Sequence, residues 1–260
     1  MQRRHFLASV ASSAVLPASL VAADAPQREF YELREYKLQS GPQQSLTNKY
    51  LAEALIPALN RLGMSPIGAF SLDLGPETPT LYLLVPSTSV EALVTAESRL
   101  AHDDEYMGAG HAFLTAPANQ PAFERVQSSL MIAFEGWPKL VAPPVTAQKG
   151  KRVFQLRTYE SPSIHDHQVK VEMFHSGEFE VFRRAGFWQV FYGDKLVGER
   201  LPNLTYMLSF PSLEEMNAKW NAFRDDPEWK KLTASPKFNY ESIVTNISNL
   251  ILNPTSYSQI

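Results

Sequence analysis

Cysteine is absent from the 260-residue chain, which removes disulfides, thiolate metal sites, a cysteine nucleophile and a lipoprotein anchor cysteine. Concentrated charge is lacking too. The formal net charge is −3, and like charges gather only in short pairs such as Lys230 and Lys231, so the chain lacks the electrostatic footprint of a nucleic-acid or anionic-membrane binder. A glycine-rich phosphate loop is missing: Gly108-Ala109-Gly110 has neither the preceding strand nor the following helix that a nucleotide site needs. There is no serine nucleophile elbow. The chemistry left belongs to oxygen, nitrogen and aromatic groups, in a chain whose 44% hydrophobic content suits one large domain or two small ones.

The N-terminus reads as an address. Gln2-Arg3-Arg4-His5-Phe6-Leu7 matches a twin-arginine core, followed by the small-residue apolar run Ala8 to Ala22, too short and weak for a membrane span. Val21-Ala22-Ala23 offers cleavage before Asp24. Residues 1–23 are therefore expected to be a signal for export to the periplasm or beyond, leaving no membrane anchor on the mature chain.

Downstream of this segment the chain repeats itself. Phe30-Tyr31-Glu32-Leu33-Arg34-Glu35-Tyr36 returns as Val153-Phe154-Gln155-Leu156-Arg157-Thr158-Tyr159, an offset of 157 − 34 = 123 residues. In the same register Leu59-Asn60-Arg61-Leu62-Gly63 falls on Phe182-Arg183-Arg184-Ala185-Gly186, and Asp103-Asp104-Glu105-Tyr106 on Asp226-Pro227-Glu228-Trp229. A shared register across separate matches indicates duplication. The first unit spans 27–137 and the second 151–260. Residues 138–150, with Pro143-Pro144, form a semi-rigid linker.

Each unit reads βαββαβ. Alternation in the first strand puts Tyr31, Leu33 and Glu35 on one face and Phe30, Glu32, Arg34 and Tyr36 on the other. Leu51, Leu55, Ala58 and Leu62 repeat at helical spacing before the stop at Gly63. Two strand-like runs come next, then a helix, opened in the second unit by the capping box Ser212-Leu213-Glu214-Glu215. The last strands are expected over Phe123 to Ile132 and Tyr240 to Ile247. This order is ferredoxin-like, with helices on one sheet face and the other face needing a partner.

At these residues the sequence resembles the NIPSNAP family, within the dimeric α/β barrel group. The resemblance rests on Tyr31 to Tyr36 and its copy, on the Arg61-Leu62-Gly63 and Arg184-Ala185-Gly186 turns, and on Phe223-Arg224-Asp225-Asp226-Pro227-Glu228-Trp229. It is blurred in the first half, where Asp103-Asp104-Glu105-Tyr106 lacks the proline and tryptophan. It implies an α+β protein of two ferredoxin-like units packed sheet to sheet as a pseudo-dimeric barrel within one chain. Similar barrels serve as cofactor-light monooxygenases, haem-handling enzymes and binding proteins, so fold alone names no reaction.

Candidate functional residues come from the same comparison. If the sheets close on each other, Arg34 with Tyr36 and Arg157 with Tyr159 point into the shared interior, where a guanidinium needs a carboxylate, a carbonyl or an anion. Glu32 can serve Arg34, whereas its copy is the neutral Gln155. The plainer alternative is that both arginines tie strands together. Trp188, Tyr192 and Tyr206 are candidate pocket walls. Glu178 falls where the first helix has Leu55, and His175 precedes it by one turn, so the two suggest an acid/base pair. The plainer alternative leaves Glu178 in solvent. His165-Asp166-His167 has no third ligand at helical spacing, with Asp166 a plausible helix cap. No metal or cofactor is expected. Three readings stand: a binder of a small anionic or aromatic molecule inside the barrel; a cofactor-independent enzyme of the monooxygenase or isomerase class using His175 and Glu178; and an interaction protein with a filled barrel. Self-association is compatible with each.

Overall fold

A computed structural model of the protein describes residues 27–75 and 77–260; the expected export signal lies outside the described residues. The first unit runs β1 (Phe30–Lys37), α1 (42–61), β2 (Gly68–Leu72), β3 (Thr80–Ser87), α2 (Val90–Leu100), α3 (Asp104–Ala109), α4 (His111–Leu114) and β4 (Arg125–Ala133). The second repeats it as β5 (Val153–Glu160), α5 (164–184), β6 (Trp188–Val197), β7 (Asn203–Phe210), α6 (Leu213–Asp225), α7 (Pro227–Thr233), α8 (Tyr240–Ile243) and β8 (Asn246–Pro254). The last strand begins beyond Tyr240, because Tyr240–Ile243 closes a helical turn and apolar residues there are insufficient to mark a strand.

Each unit orders its strands β4-β1-β3-β2 or β8-β5-β7-β6, and the two join through β2–β8 and β4–β6 into one closed, antiparallel eight-stranded barrel. Closure leaves no free sheet edge. Tyr31, Leu33, Phe70, Phe154, Phe191 and Met207 meet inside the barrel and are almost wholly buried. Burying such a side chain is worth about 1.5–3 kcal/mol, and the cluster draws on both units, so each half supplies the cover that the other sheet lacks.

The same packing corrects the expected orientation of the arginine face. Tyr36 belongs to the core between the first sheet and its helices, and Tyr159 to the equivalent core of the second unit. Arg34 and Arg157 therefore lie on the outer, helix-covered side of the barrel wall. The interior belongs to the Tyr31 and Leu33 face, so a ligand held by these arginines does not sit inside the barrel.

Local signals explain the helix ends. Gly63 and Gly186 sit at φ 85° and 76°, the left-handed conformation that glycine adopts without penalty. The arginine two residues earlier in each turn bonds an aspartate that caps the next short helix: Arg61 NH2 to Asp103 Oδ2 at 2.7 Å and Arg184 Nε to Asp226 Oδ2 at 2.8 Å. The family-like turns thus serve architecture, each tying α1 or α5 to α3 or α7. Ser163, not Asp166, caps α5: its hydroxyl accepts the Asp166 N–H at 3.1 Å.

Candidate functional site

The two strand arginines occupy equivalent positions in unlike surroundings. Arg34 is neutralised by two carboxylates. Its Nε lies 2.6 Å from Glu32 Oε1 and its NH1 2.9 Å from Glu97 Oε1 on α2. The Ser128 hydroxyl also donates to Glu32, at 2.7 Å. In the second unit Gln155 replaces Glu32, and Trp220 replaces Glu97 (97 + 123 = 220). Trp220 Nε1–H donates to Gln155 Oε1 at 2.7 Å, and Gln155 Nε2 donates to Asn249 Oδ1 at 2.9 Å. Both acids have become neutral groups that satisfy one another.

Arg157 consequently forms no ion pair among the described residues. Its NH2 donates to Tyr159 OH at 3.1 Å, while its buried Nε has no partner. The guanidinium stacks 4.6 Å from the Trp220 ring centre and 5.3 Å from that of Tyr159, geometry within reach of cation–π attraction. Aromatic faces stabilise the charge but leave its in-plane donors available.

Arg157 lines a cleft of about 590 Å³ between the second sheet and its helices, in the size range of small-molecule sites. Gln155, Arg157 and Tyr159 on β5 line its floor with Asn249 on β8, and Trp220 and Arg224 on α6 form a wall. Arg224 also makes no salt bridge among the described residues; its NH2 donates to Asn221. The equivalent depression in the first unit, lined by Glu32, Arg34 and Glu97, measures about 370 Å³. Arg34, its one cation among the described residues, is already paired.

Below the larger cleft lies a buried polar group with no counterpart in the first unit. Lys170 Nζ donates to Glu178 Oε2 at 2.6 Å; the Lys170 side chain is wholly buried, and Glu178, 2% exposed, reaches the cleft at its floor. Their equivalents are Thr47 and Leu55. The ammonium also lies 4.4 Å from the Phe174 ring centre. Burial pushes the Glu178 carboxyl above its usual range, with Lys170 and Arg157 pulling against that shift. The Tyr159 and Tyr206 hydroxyls are 2.7 Å apart, and burial holds the Tyr206 phenol well above its ordinary value. Glu178 and Lys170 offset each other, so Arg157 and Arg224 leave the cleft net positive.

Not every expected residue comes together here. Glu178 lines the cleft, but His175 does not. Its Nε2 accepts the Gly136 N–H at 3.0 Å and its Nδ1–H donates to Val171 O at 2.9 Å, in a separate groove with Arg28 and Asp194. The acid/base pair therefore does not assemble. A wide π-type turn over Phe174–Glu178, with Gly177 at φ 145°, breaks the regular spacing that would align them. Tyr206 lies beneath the floor through its bond to Tyr159. Tyr192 OH donates to Gln189 Oε1 at 2.7 Å in the core, and Trp188 sits apart, under Lys219. His167 Nε2 pairs with Asp194 Oδ1 at 2.8 Å. Asn249, Lys170 and Trp220 carry no motif that singles them out as site residues, and Arg224 enters only as part of the family-like run Phe223 to Trp229; the 123-residue offset, applied to Thr47 and Glu97, is the signal that reaches Lys170 and Trp220.

Two ferredoxin-like sheets closing one barrel inside a single chain, each with a helix layer outside, define an α/β barrel of the dimeric type built as a pseudo-dimer. The chain belongs to the NIPSNAP family, whose profile matches residues 31–135 and again 154–259. Among solved structures it is similar to a candidate monooxygenase from Lactobacillus acidophilus, with TM-score 0.58 and 9% identity over 87% of this chain and 94% of that one. A candidate monooxygenase from Fusobacterium nucleatum gives 0.55 and 7% over 88% and 93%. An anthrone oxidase-like protein gives 0.52 and 12% over 89% and 93%. At such identities the likeness concerns the fold. No curated protein sequence matches the chain.

Proposed function

We propose that this is an exported binding protein whose second unit holds a small anionic molecule with an aromatic part, in the cleft between sheet and helices. One observation carries the reading: both carboxylates that neutralise Arg34 are exchanged for Gln155 and Trp220 around Arg157. A half-buried guanidinium without an acid is completed by a ligand carboxylate or a similar planar anion, which accepts two parallel N–H bonds. Trp220, Trp229 and Tyr240 supply flat apolar surface beside it. Export rests on Arg3 and Arg4; changing both to lysine should trap the precursor in the cytoplasm, and undiminished export would remove the twin-arginine assignment.

Native mass spectrometry of the protein purified from its own host should reveal a co-purified organic anion. Titration calorimetry then compares two variants against that molecule. Arg157→Met is expected to weaken binding by about 1.5–3 kcal/mol, the scale of a charge-assisted hydrogen bond, with Arg34→Met close to neutral. Equal losses, or a loss only for Arg34→Met, would overturn the assignment of the site to the second unit.

A further inference from the structure

The buried Lys170–Glu178 pair is unexplained by anion binding alone. A ligand anion gains nothing from a carboxylate in its wall. Nor does the fold require the pair, since replacing a buried ion pair with well-packed neutral residues is often neutral or stabilising, and the first unit has Thr47 and Leu55 at the same helical positions. Both charges are present only in the unit with the unneutralised arginine. Glu178 lines the cleft, with Oε2 held by Lys170 and Oε1 forming no hydrogen bond among the described residues. Arg157 and Tyr159 line the same cleft.

From this arrangement we infer that the cleft performs carbon-acid chemistry: Glu178 Oε1 removes a proton from the carbon next to a ketone in an aromatic 2-oxo acid. Arg157, Arg224 and the Tyr159 hydroxyl hold the carboxylate and the oxygen that becomes an enolate. The inference rests on the anion-binding reading of the same cleft. In the forward step the C–H bond breaks, its electron pair forms the C=C bond of the enolate, the C=O π pair moves onto the oxygen, and the proton passes to Glu178. In the return step Glu178 gives a proton back to that carbon or to a conjugated one, so the net result is exchange or a 1,3-shift of one hydrogen. Nothing is oxidised or reduced. Positive donors where the enolate charge develops, and a carboxylate fixed by Lys170, are the two requirements of such a step. Burial favours the protonated acid and Lys170 the ionised base, which brings the carboxyl closer to the working range of a proton shuttle.

The test uses the full mature chain and phenylpyruvate. Proton NMR in D₂O follows loss of the C3 proton signal, and calorimetry measures binding in parallel. Because Glu178→Gln leaves Lys170 buried without its acid, the decisive variant is the double change Lys170→Thr with Glu178→Leu, which installs the pair found in the first unit. The native protein is expected to accelerate exchange, and the double variant to lose about 10²-fold or more of that acceleration with its affinity within about threefold. Exchange undiminished in the double variant would overturn the role of Glu178. Binding without accelerated exchange by the native protein would overturn the carbon-acid proposal and leave the anion site standing. Absence of phenylpyruvate binding by the native protein would overturn both.

Discussion

Arg34 and Arg157 stand at the same point of two copies of one fold, and the groups around them have diverged in opposite directions. Around Arg34 the unit is self-sufficient: Glu32 and Glu97 complete the guanidinium, and Thr47 and Leu55 keep the helix beneath it uncharged. Around Arg157 each of those four positions changes, to Gln155, Trp220, Lys170 and Glu178. The copies share strand order, helix-ending glycines and the arginine–aspartate ties that hold their helices. The interior has diverged as well, Phe70 falling on Gly193 and Tyr82 on Thr205, but only the helix–sheet layer of the second half trades its acids for neutral groups around the strand arginine.

The largest effect expected from breaking this contrast comes from removing one member of the buried pair. Lys170→Met should destabilise the protein by about 3–5 kcal/mol in urea denaturation at neutral pH, since it strands Glu178. Thr47→Val, its counterpart, loses only the bond from Thr47 Oγ1 to Ala122 O, about 1 kcal/mol. The two changes also differ in pH dependence. Burial raises the Glu178 carboxyl above 4.5, its ordinary value, so above that pH the folded state of Lys170→Met binds more protons than the unfolded state. Its stability must then fall as pH rises toward the shifted value. The deficit should be smaller at pH 5 than at pH 8. A pH-independent deficit would mean that Glu178 is not the stranded group.

Ligand binding gives the next scale of effect. Gln155→Glu restores to the second unit the acid that Arg34 enjoys, and should lower affinity for an aromatic carboxylate by about 1.5–3 kcal/mol, as an internal carboxylate competes for Arg157. The reverse exchange, Glu32→Gln with Glu97→Trp, should raise the stoichiometry in calorimetry from one site to two. If the doubled variant still binds one equivalent, the smaller volume of the first cleft, and not charge, is what closes it. Arg34→Met leaves Glu32, only 14% exposed, without its cation, and should lower stability by about 1–3 kcal/mol without touching affinity.

How much of this is legible in the sequence depends on what each signal measures. The offset of 123 residues locates both units, both glycine stops and the Glu32 to Gln155 exchange, because duplication preserves order and spacing. Alternation groups Arg34 with Tyr36 correctly but cannot say which way that face looks. In a barrel wrapped by helices both strand faces are apolar, as Tyr31 and Leu33 inside and Tyr36 outside illustrate, so periodicity carries no inside–outside label. Helical spacing fails at His175 and Glu178 because the wide turn at Phe174–Glu178 shifts the register, and a π-type turn has no sequence signature comparable to a cap. Lys170 escapes notice because a lysine near a helix start normally reads as solvated, and its partner lies eight positions away, beyond the i,i+4 reach of pattern reasoning.

The smallest effect sharpens the comparison from the side of a residue that lies apart from the site. His175 has Ala52 as its counterpart, so the first unit builds the same helix without an imidazole. In the second unit the ring spans Val171 O on its own helix and the Gly136 N–H at the end of the first unit, bonds of 2.9 and 3.0 Å at an exposed position. A hydrogen bond accessible to water contributes little, because water replaces it when it is lost. His175→Ala should therefore cost about 0.5–1 kcal/mol in denaturation. It should leave affinity unchanged, since the ring shares its groove with Arg28 and Asp194 and not with Arg157. A tenfold loss of affinity would place the imidazole back beside Glu178 in the working protein. It would also mean that the wide turn straightens when the ligand binds, making the divergence of the second unit one of motion as well as charge.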